Sequence, residues 1–391
     1  MISFQEAQSI ILSKAKSFGV ELVILDDALN RVLAEDIFAQ RDYPPFNRSA
    51  MDGIAVRFDD LQNGINQFKF IEIIFAGQAN INPLKTGECY KIMTGAAVPK
   101  DANVVIKRED ISEENGSFIL NSESYKEYQN IALQGQDLKK GDIAVLNGTL
   151  INIPTIGLLA SLGKSQISVQ KLPKVNIITT GNEVVDLNHS TSSFQIHNSN
   201  LYVLKALLTQ NQIKNQNCSH VNDDVNELEI AISANLDADI LILTGGVSAG
   251  DADYVPEILA KIGIEKLFHK VAIKPGKPVW CGKLSNQLMV FALPGNPFSC
   301  MVTFKLFVEL YIKASTRYKK EEMLQLPIDF LRSKNSNLDE FFPVEASSTL
   351  KAISINGSGD IRLGNLANAL AMQSAAQKKL EKGTMVSYFP L

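Results

Sequence analysis

Three stretches of sequence decide the predicted fold: KVNIITTG at residues 174–181, ADILILTGG at 238–246 and LMVFALPG at 288–295. Each is a short apolar run that ends in a glycine turn, which is typical of strands buried in a parallel sheet. Amphipathic segments alternate with these runs, namely SNLYVLKALLTQ, VNELEIAISANL, YVPEILAKIG and a long helix predicted from Pro297 to about Ser315. Alternation of strand and helix predicts a mainly parallel sheet with helices on both faces.

The strand ends of this α/β part predict a binding site. Ligands of such sheets bind outside the carboxyl ends of the strands. Three apolar strands of the sequence end in glycines and polar residues, in the motifs TTGNE, TGGVSAGDAD and LPGNP. We therefore expect these three motifs to meet at one edge of the sheet and to bind a phosphate-bearing or nucleotide ligand.

The flanking sequence predicts smaller domains around the α/β part. Short β-prone runs separated by Gly, Asn, Pro and Asp precede it, and short strands and turns follow a charged linker. We predict a multidomain α/β plus β fold with four parts: a helical linking domain from discontinuous segments (1–20, 38–47 and 142–172), a β-rich domain (21–37 and 48–141), the α/β domain (173–318) and a small C-terminal β domain (319–391).

Composition excludes several classes of function. The chain has 391 residues and a formal net charge of −4, so it has no global basic field for nucleic acid. No apolar stretch approaches the roughly 18 residues of a membrane span, and the N-terminus lacks the features of a signal peptide. The four cysteines are dispersed without a CxxC pair, which fits a reducing compartment. We predict a cytoplasmic protein without nucleic acid or membrane partners.

The motif TGGVSAGDADY at residues 244–254 is a candidate anion and metal site. Consecutive glycines let the backbone approach a ligand and present N–H groups to an anion. Asp251 and Asp253 stand two residues apart, so one turn can direct both carboxylates at a cation such as Mg²⁺. The structural alternative is a glycine-rich turn followed by an aspartate that caps a helix.

The motif HKVAIKPGKP at residues 269–278 is a candidate oxyanion site. A strand and a Pro-Gly turn can bring Lys270, Lys274 and Lys277 together on a phosphate or another oxyanion. The alternative is three solvated surface lysines around a tight turn. Glu183 in TTGNEVV can orient a metal or bind a hydroxyl, or can be an acid near a helix N-terminus.

Physical reasoning alone assigns no chemistry to the β-rich region. Asp52-Gly53 and Thr94-Gly95 have the composition of ordinary turns. The four histidines are dispersed, which gives little support to a multi-histidine metal centre. Neither a GxSxG nucleophile elbow nor a Walker GxxxxGK[ST] loop is present.

Taken in order, the motifs resemble those of the molybdopterin molybdenumtransferases, a catalytic unit that also forms the C-terminal domain of gephyrin. The motifs are NRSAMDGIAV, IMTGAAVP, ANVVIKRED, GQDLKKGD, ITTGNEV, QIHNSN, NDD, ILTGGVSAGDADY, KVAIKPGKP and LPGNPFS. The resemblance is close over residues 1–315 and loose in the C-terminal domain. It implies that molybdenum from molybdate is inserted into adenylylated molybdopterin, which yields molybdenum cofactor and AMP and requires Mg²⁺.

The resemblance also implies an assembly and a set of partners. The assembly is an elongated homodimer with four domains per chain. Its active cleft lies between the α/β domain of one subunit and the β-rich domain of the other. Besides adenylylated molybdopterin and molybdate, the implied partners are the molybdopterin adenylyltransferase and the molybdoenzymes that receive the cofactor.

Residue chemistry and the resemblance together predict the site. The predicted catalytic residues are Asp52, Thr94, Asp137, Glu183, Asp253, Lys270 and Lys274. The predicted substrate-binding residues are Ser199, Asn200, Asp223, Gly245, Gly246, Ser248, Gly250, Lys277, Pro294, Gly295, Asn296, Pro297 and Arg332. The predicted metal ligands are Glu183, Asp251 and Asp253.

The chain departs from the family pattern at two places. Ala132, Leu133 and Gln134 stand where the family has an arginine-rich stretch, and Gly364 and Asn365 stand where it has a serine pair. A weakly active or non-catalytic paralogue that serves as a molybdopterin-binding scaffold is therefore an alternative. A further alternative is the related adenylyltransferase, but that enzyme would not explain SAMDG and IMTGAAVP.

Overall fold

The structure, a computed structural model, describes residues 1–122, 124–214, 216–246, 254–285, 288–318, 324–357, 359–360, 362 and 366–391. Six residues named above lie outside these ranges: Ser248, Gly250, Asp251, Asp253, Gly364 and Asn365. The chain forms two compact units. The first contains Met1–Ala34, Gly148–Ile153 and Gln166–Leu391, and the second contains Glu35–Asn147 and Pro154–Ser165.

The α-helices of the described residues are short. From α1 to α8 they are Phe4–Ser13, Phe58–Gln62, Ile153–Ser161, Ser199–Gln210, Val225–Ser233, Val255–Lys261, Pro297–Thr303 and Glu309–Ser315. A π-helical turn, Phe304–Val308, joins α7 to α8, so the long helix predicted from Pro297 to about Ser315 is confirmed. The predicted helix SNLYVLKALLTQ is α4.

Strands outnumber helices, so the fold is a mixed α/β fold with mostly β content. From β1 to β28 the strands of the described residues are Val20–Ile24, Ile37–Phe38, Arg48–Ser49, Gly53–Val56, Gln67–Ile74, Glu88–Ile92, Val104–Lys107, Ile111–Glu114, Ser117–Leu120, Ile131–Ala132, Ile143–Val145, Gln166–Gln170, Val175–Thr180, Val184–Val185, Ile196–His197, Gln216–Val221, Ile240–Thr244, Glu265–His269, Ile273–Lys274, Trp280–Leu284, Leu288–Leu293, Gln325–Pro327, Arg332–Ser333, Asp339–Ala346, Leu350–Ala352, Ala369–Gln373, Lys379–Leu380 and Met385–Pro390.

The first unit is built on a six-stranded sheet of order β16-β13-β17-β21-β20-β18. The pairs β13–β16, β13–β17 and β17–β21 are parallel, whereas β20 and β18 extend the sheet as antiparallel strands. Every residue of β13, β17 and β21 is buried, as expected for central strands covered on both faces. The three apolar runs that decided the predicted fold are therefore adjacent strands.

Helices cover both faces of this sheet. Alternate strand residues face opposite sides, so Ile242 packs with Leu204 of α4 in one apolar cluster. Leu243 packs with Leu228 of α5 in the other cluster. The helix α1 joins the first cluster, where the ring of Phe4 lies 5.1 Å from that of Phe341 in an edge-on contact. The predicted layered α/β arrangement is confirmed for this sheet.

The C-terminal strands form a second sheet in the same unit. Its order is β19-β24-β26-β28-β22, with β25 paired to β24. The strand β19 comes from the lysine motif and pairs in parallel with β24, so that Lys274 stands opposite Glu340. The lysine motif is therefore held by the C-terminal sheet.

The second unit contains a six-stranded sheet of order β7-β4-β6-β5-β9-β8. Gly53, in the SAMDG motif, begins β4 and packs against β7. A Cβ atom at Gly53 would lie 1.9 Å from the carbonyl oxygen of Ile106, so no side chain fits there. The predicted four-domain division of the whole chain stays a prediction. None of the described helices has the length and apolar character needed to cross a membrane.

Candidate functional site

The side chain of Asn200 joins two strand ends of the central sheet. Its amide nitrogen donates to Thr244 Oγ1 at 3.1 Å and to the carbonyl oxygen of Gly295 at 2.6 Å. The Thr244 hydroxyl in turn donates to the carbonyl oxygen of Pro294 at 3.2 Å. These bonds link the start of α4 to the ends of β17 and β21. The predicted residues Asn200, Pro294 and Gly295 are therefore neighbours.

Glycine is required where these strand ends approach one another. Gly245 has a positive φ of 98°, and a Cβ atom there would lie 2.5 Å from Thr180 Oγ1. Gly246 also has a positive φ, and a Cβ atom at Gly295 would lie 3.8 Å from Gly245 Cα. The backbones of two loops thus meet at this edge, as expected for a site that offers backbone N–H groups to an anion.

Two predicted acids stand on connected loops at the same edge. The Asn182 side-chain oxygen accepts a hydrogen bond from the backbone N–H of Asp223 at 3.0 Å. Glu183 follows Asn182 and is exposed. The described residues contain no group of three His, Cys, Asp or Glu side chains suited to a metal ion. The other two predicted metal ligands, Asp251 and Asp253, lie outside the described residues.

The remaining predicted residues of this edge flank two helices. Ser199 is the first residue of α4 and is exposed. Asn198 caps this helix, since its side chain accepts from the backbone N–H of Leu201 at 3.2 Å. Asn296 precedes α7, and Pro297 is the first residue of α7, where proline is favourable because no N–H is needed.

Two of the three predicted lysines line a cavity of about 840 Å³ in the first unit. Lys274, Lys277 and Arg332 line it together with one acid, Glu340, and with the aromatic rings of Phe298, Phe330, Phe341 and Phe342. Lys270 is not among the described residues that line this cavity. The structure therefore brings Arg332, in the short strand β23 that pairs with β27, to the lysine motif.

Glu340 binds two of these cations, and sequence reasoning missed it. One carboxylate oxygen accepts from Arg332 Nη2 at 2.7 Å, and the other lies 3.6 Å from Lys274 Nζ. Ser336 donates to Glu340 at 2.8 Å. The Arg332 guanidinium also lies 4.1 Å from the centre of the Phe342 ring. We call Lys274, Arg332 and Glu340 the cavity cluster.

The carboxylate of Glu340 is held in its charged form. Burial alone would raise the pKa of Glu340, but hydrogen bonds from Arg332 and Ser336 and the charges of Arg332 and Lys274 outweigh burial and lower it. A lowered pKa keeps Glu340 ionised at neutral pH. The charged residues that line the cavity then sum to +2, from three cations and one anion.

In the second unit, Asp52 and Thr94 form a hydrogen-bonded pair. Asp52 Oδ1 accepts from the Thr94 backbone N–H at 2.6 Å and from the Thr94 hydroxyl at 2.7 Å. These two bonds, the backbone one first, lower the pKa of the Asp52 carboxyl. Two turns that seemed ordinary from local sequence therefore fix an ionised, exposed carboxylate.

The other predicted residue of this unit, Asp137, lies in a loop that contacts Tyr43. Its backbone N–H donates to the carbonyl oxygen of Tyr43 at 3.0 Å, and its side chain is exposed. Gln134, one of the departures from the family pattern, donates through its side chain to Asp42 at 2.9 Å. Backbone donation from Lys140 and the bond from Gln134 lower the pKa of Asp42.

Comparisons of the chain with known proteins lead to one family. The family model of the MoeA N-terminal region, domains I and II, matches residues 2–163, and that of the probable molybdopterin binding domain matches 176–314. The molybdopterin molybdenumtransferase of Synechocystis sp. is 32% identical over 360 residues, which cover 90% of this chain and 89% of the relative. That of Haemophilus influenzae is 36% identical over 311 residues, 79% of this chain and 76% of the relative. This chain belongs to the molybdopterin molybdenumtransferase family.

A solved structure supports the fold over the full length. The molybdopterin biosynthesis MoeA protein of Pyrococcus horikoshii is 26% identical, covers 100% of both chains and gives a TM-score of 0.86. Membership of the molybdopterin molybdenumtransferase family makes this protein a transferase of molybdenum cofactor biosynthesis. Arg332 and Glu340 lie beyond both matched regions. No local motif marks Glu340, because only the pairing of β19 with β24 brings it to Lys274.

Proposed function

We propose that the protein inserts molybdenum from molybdate into adenylylated molybdopterin, forms molybdenum cofactor and releases AMP. The observation on which this proposal rests is the cavity lined by Lys274, Lys277 and Arg332. Its lining charge of +2, with Glu340 included, complements the charge of the molybdate dianion. An arginine offers a planar fork of donors and a lysine a mobile point charge, and both suit oxyanion oxygens.

The edge of the central sheet is the part of the first unit best suited to the phosphates of the adenylylated substrate. Asn200, Gly245 and Gly295 are drawn together there, and closely packed glycine backbones suit phosphate oxygens. We propose that this edge binds the phosphates and orients the substrate, while the cavity residues bind the oxyanion.

We propose Mg²⁺ as the metal of the reaction, with Glu183, Asp251 and Asp253 as its ligands. Carboxylate oxygens are the donors that Mg²⁺ prefers, and the exposed Glu183 stands at the phosphate edge. When bound, the ion would neutralise charge on the phosphoanhydride.

Asp52 is the residue of the second unit that we place in the reaction. Its carboxylate is exposed, ionised and fixed by Thr94, so it can orient a cationic or hydrogen-bonding group of the substrate without first losing a proton. We further propose the homodimer and the four-domain division that the resemblance implies.

The direct test is AMP release from adenylylated molybdopterin by the purified protein, measured with and without molybdate and Mg²⁺. We expect release that requires molybdate. The variant Lys274→Ala is expected to lose at least about tenfold in rate, because a charge-assisted hydrogen bond contributes roughly 1.5–3 kcal/mol. Lys266→Ala removes an exposed lysine of β18 outside the cavity and should retain the wild-type rate.

Two outcomes would contradict the proposal. Release that does not depend on molybdate would exclude the transfer reaction. Binding of the adenylylated substrate without any release would instead support a molybdopterin-binding scaffold, the alternative that the sequence left open.

A further inference from the structure

Arg48 is paired with two alanines in the second unit, one on each side of its strand. In the pairing of β3 with β10, Arg48 stands directly opposite Ala132. On the other side of β3, Arg48 pairs with Ala97 in an isolated bridge. Methyl groups flank the arginine on both sides, so neither neighbour fills the space around the guanidinium or offers it a hydrogen bond.

The backbone that holds Arg48 is anchored from both sides. The next residue, Ser49, is fully buried, and its backbone N–H donates to the carbonyl oxygen of Ala96 at 2.9 Å. The Gly95 N–H donates back to the Ser49 carbonyl oxygen at 2.9 Å, and the Ala50 N–H donates to Asn130 at 2.9 Å. Arg48 is thus an exposed side chain on a fixed frame.

The guanidinium of Arg48 has no partner within the described part of the chain. Two other arginines there have carboxylate partners: Arg57 lies 3.7 Å from Asp59, and Arg332 lies 2.7 Å from Glu340. An exposed, unpaired cation on an anchored strand keeps its charge and its donors available for a ligand. Such a group is suited to an anion, above all to the oxygens of a phosphate.

The same frame holds the Asp52–Thr94 pair. The bond from Gly95 to Ser49 fixes the turn that contains Thr94 next to β3, and Thr94 in turn binds Asp52. Arg48 therefore stands on the same local structure as the carboxylate that we place in the reaction.

We propose that Arg48 binds a phosphate of the substrate and supplies the positive charge that residues 132–134 lack. This inference rests on the proposed function. Cβ atoms of directly opposed residues in an antiparallel pair lie about 4.5–5.5 Å apart. A guanidinium at position 48 can therefore reach the space that an arginine at position 132 would occupy.

The test measures the affinity of the full-length protein for adenylylated molybdopterin by titration calorimetry. We expect Arg48→Ala to weaken binding by about tenfold to a hundredfold, the usual effect of a hydrogen bond between charged groups. Lys69→Ala removes an exposed cation of β5 and should leave the affinity unchanged. The double variant Arg48→Ala with Ala132→Arg should regain most of the loss, because the charge returns from the opposite strand.

The outcomes separate this inference from the proposed function. If the wild-type protein does not bind the substrate, the proposed function fails. If the wild type binds and Arg48→Ala binds equally well, Arg48 is not a substrate ligand. An equal loss in Lys69→Ala, or no recovery in the double variant, would also overturn the assignment. Thermal melting of each variant checks folding, and Arg48→Gln replaces Arg48→Ala under the same criteria if the latter is unfolded.

Discussion

The cavity cluster and the Asp52–Thr94 pair differ in what holds their charges. In the cavity cluster, a carboxylate whose side chain is 7% exposed is balanced by Arg332 and approached by Lys274. Asp52 is exposed and is fixed by two hydrogen bonds from an uncharged residue. Removing one member of a partly buried ion pair leaves the other charge without a partner and lowers the free energy of unfolding. Replacing an exposed carboxylate that is held by neutral donors should change the free energy of unfolding little.

The largest expected effect is a loss of stability in Arg332→Ala. Removal of this arginine leaves Glu340 partly buried without its closest cation, and breaking such a pair costs about 3 kcal/mol. Urea denaturation of the wild type and the variant would measure the free energy of unfolding.

A matched control sharpens this prediction. Lys351→Ala breaks an exposed pair with Glu345 at 3.5 Å and should cost less than about 1 kcal/mol. If the two variants lose the same free energy, the cavity cluster is not coupled to folding. The double variant Arg332→Ala with Glu340→Ala should be more stable than Arg332→Ala alone, because no uncompensated charge remains.

Asp52→Ala should show the opposite behaviour. We expect the rate of AMP release to fall about a hundredfold or more, a loss typical of a group that acts in the reaction. The melting temperature should remain close to that of the wild type, because Asp52 is exposed. A variant that melts much earlier, or that keeps its rate, would remove the contrast between the two regions.

The pH dependence of stability tests the cavity cluster in another way. The pKa of Glu340 in the folded protein is lowered from its ordinary value of 4.5. The ionised Glu340 therefore contributes its full stabilisation above about pH 4.5, the ordinary pKa of the group. This stabilisation is lost as the pH falls through the lower pKa that Glu340 has in the folded protein. Unfolding free energies of the wild type and Glu340→Gln should diverge in slope below that pH. Parallel curves in acid would show that Glu340 adds no pH-dependent stability.

The smallest expected effect is that of Thr94→Val. This variant removes the hydroxyl bond to Asp52 but keeps the backbone N–H bond, so the pKa of Asp52 should move part of the way up to its ordinary value. One net hydrogen bond corresponds to roughly a threefold to tenfold loss of rate. Thr94→Ser retains the hydroxyl and should retain the rate, whereas equal losses in both variants would point to packing rather than to this bond.

The sequence predicted the central sheet well, because each of its central strands is marked by residues within the strand itself. The runs around Ile177, Ile242 and Phe291 are apolar over the length of a strand and end in glycine turns. The meeting of Asn200 with Gly295 at one edge then follows from the rule that ligands bind at the carboxyl ends of parallel strands. Periodicity and topology were sufficient for this region.

The cavity cluster and the Asp52–Thr94 pair could not be derived in the same way. Asp52 and Thr94 stand in separate turns, and only the resemblance to a family suggested that they belong together. Glu340 and Lys274 meet through a two-residue strand pairing that neither stretch of sequence signals by itself. Contacts between distant segments depend on which strands pair and in which register, and neither segment determines this by itself.

The pairing of β19 with β24 has a consequence for how the protein is made. Ile273–Lys274 leaves the ribosome well before Asp339–Ala346, the strand to which it pairs. A nascent chain that ends before Asp339 already contains every strand of the central sheet, yet Lys274 has no strand to hold it in register. The cavity lined by Lys274 and Glu340 is therefore complete only after Asp339–Ala346 has been synthesised, because Glu340, Phe341 and Phe342 of this strand form part of its lining.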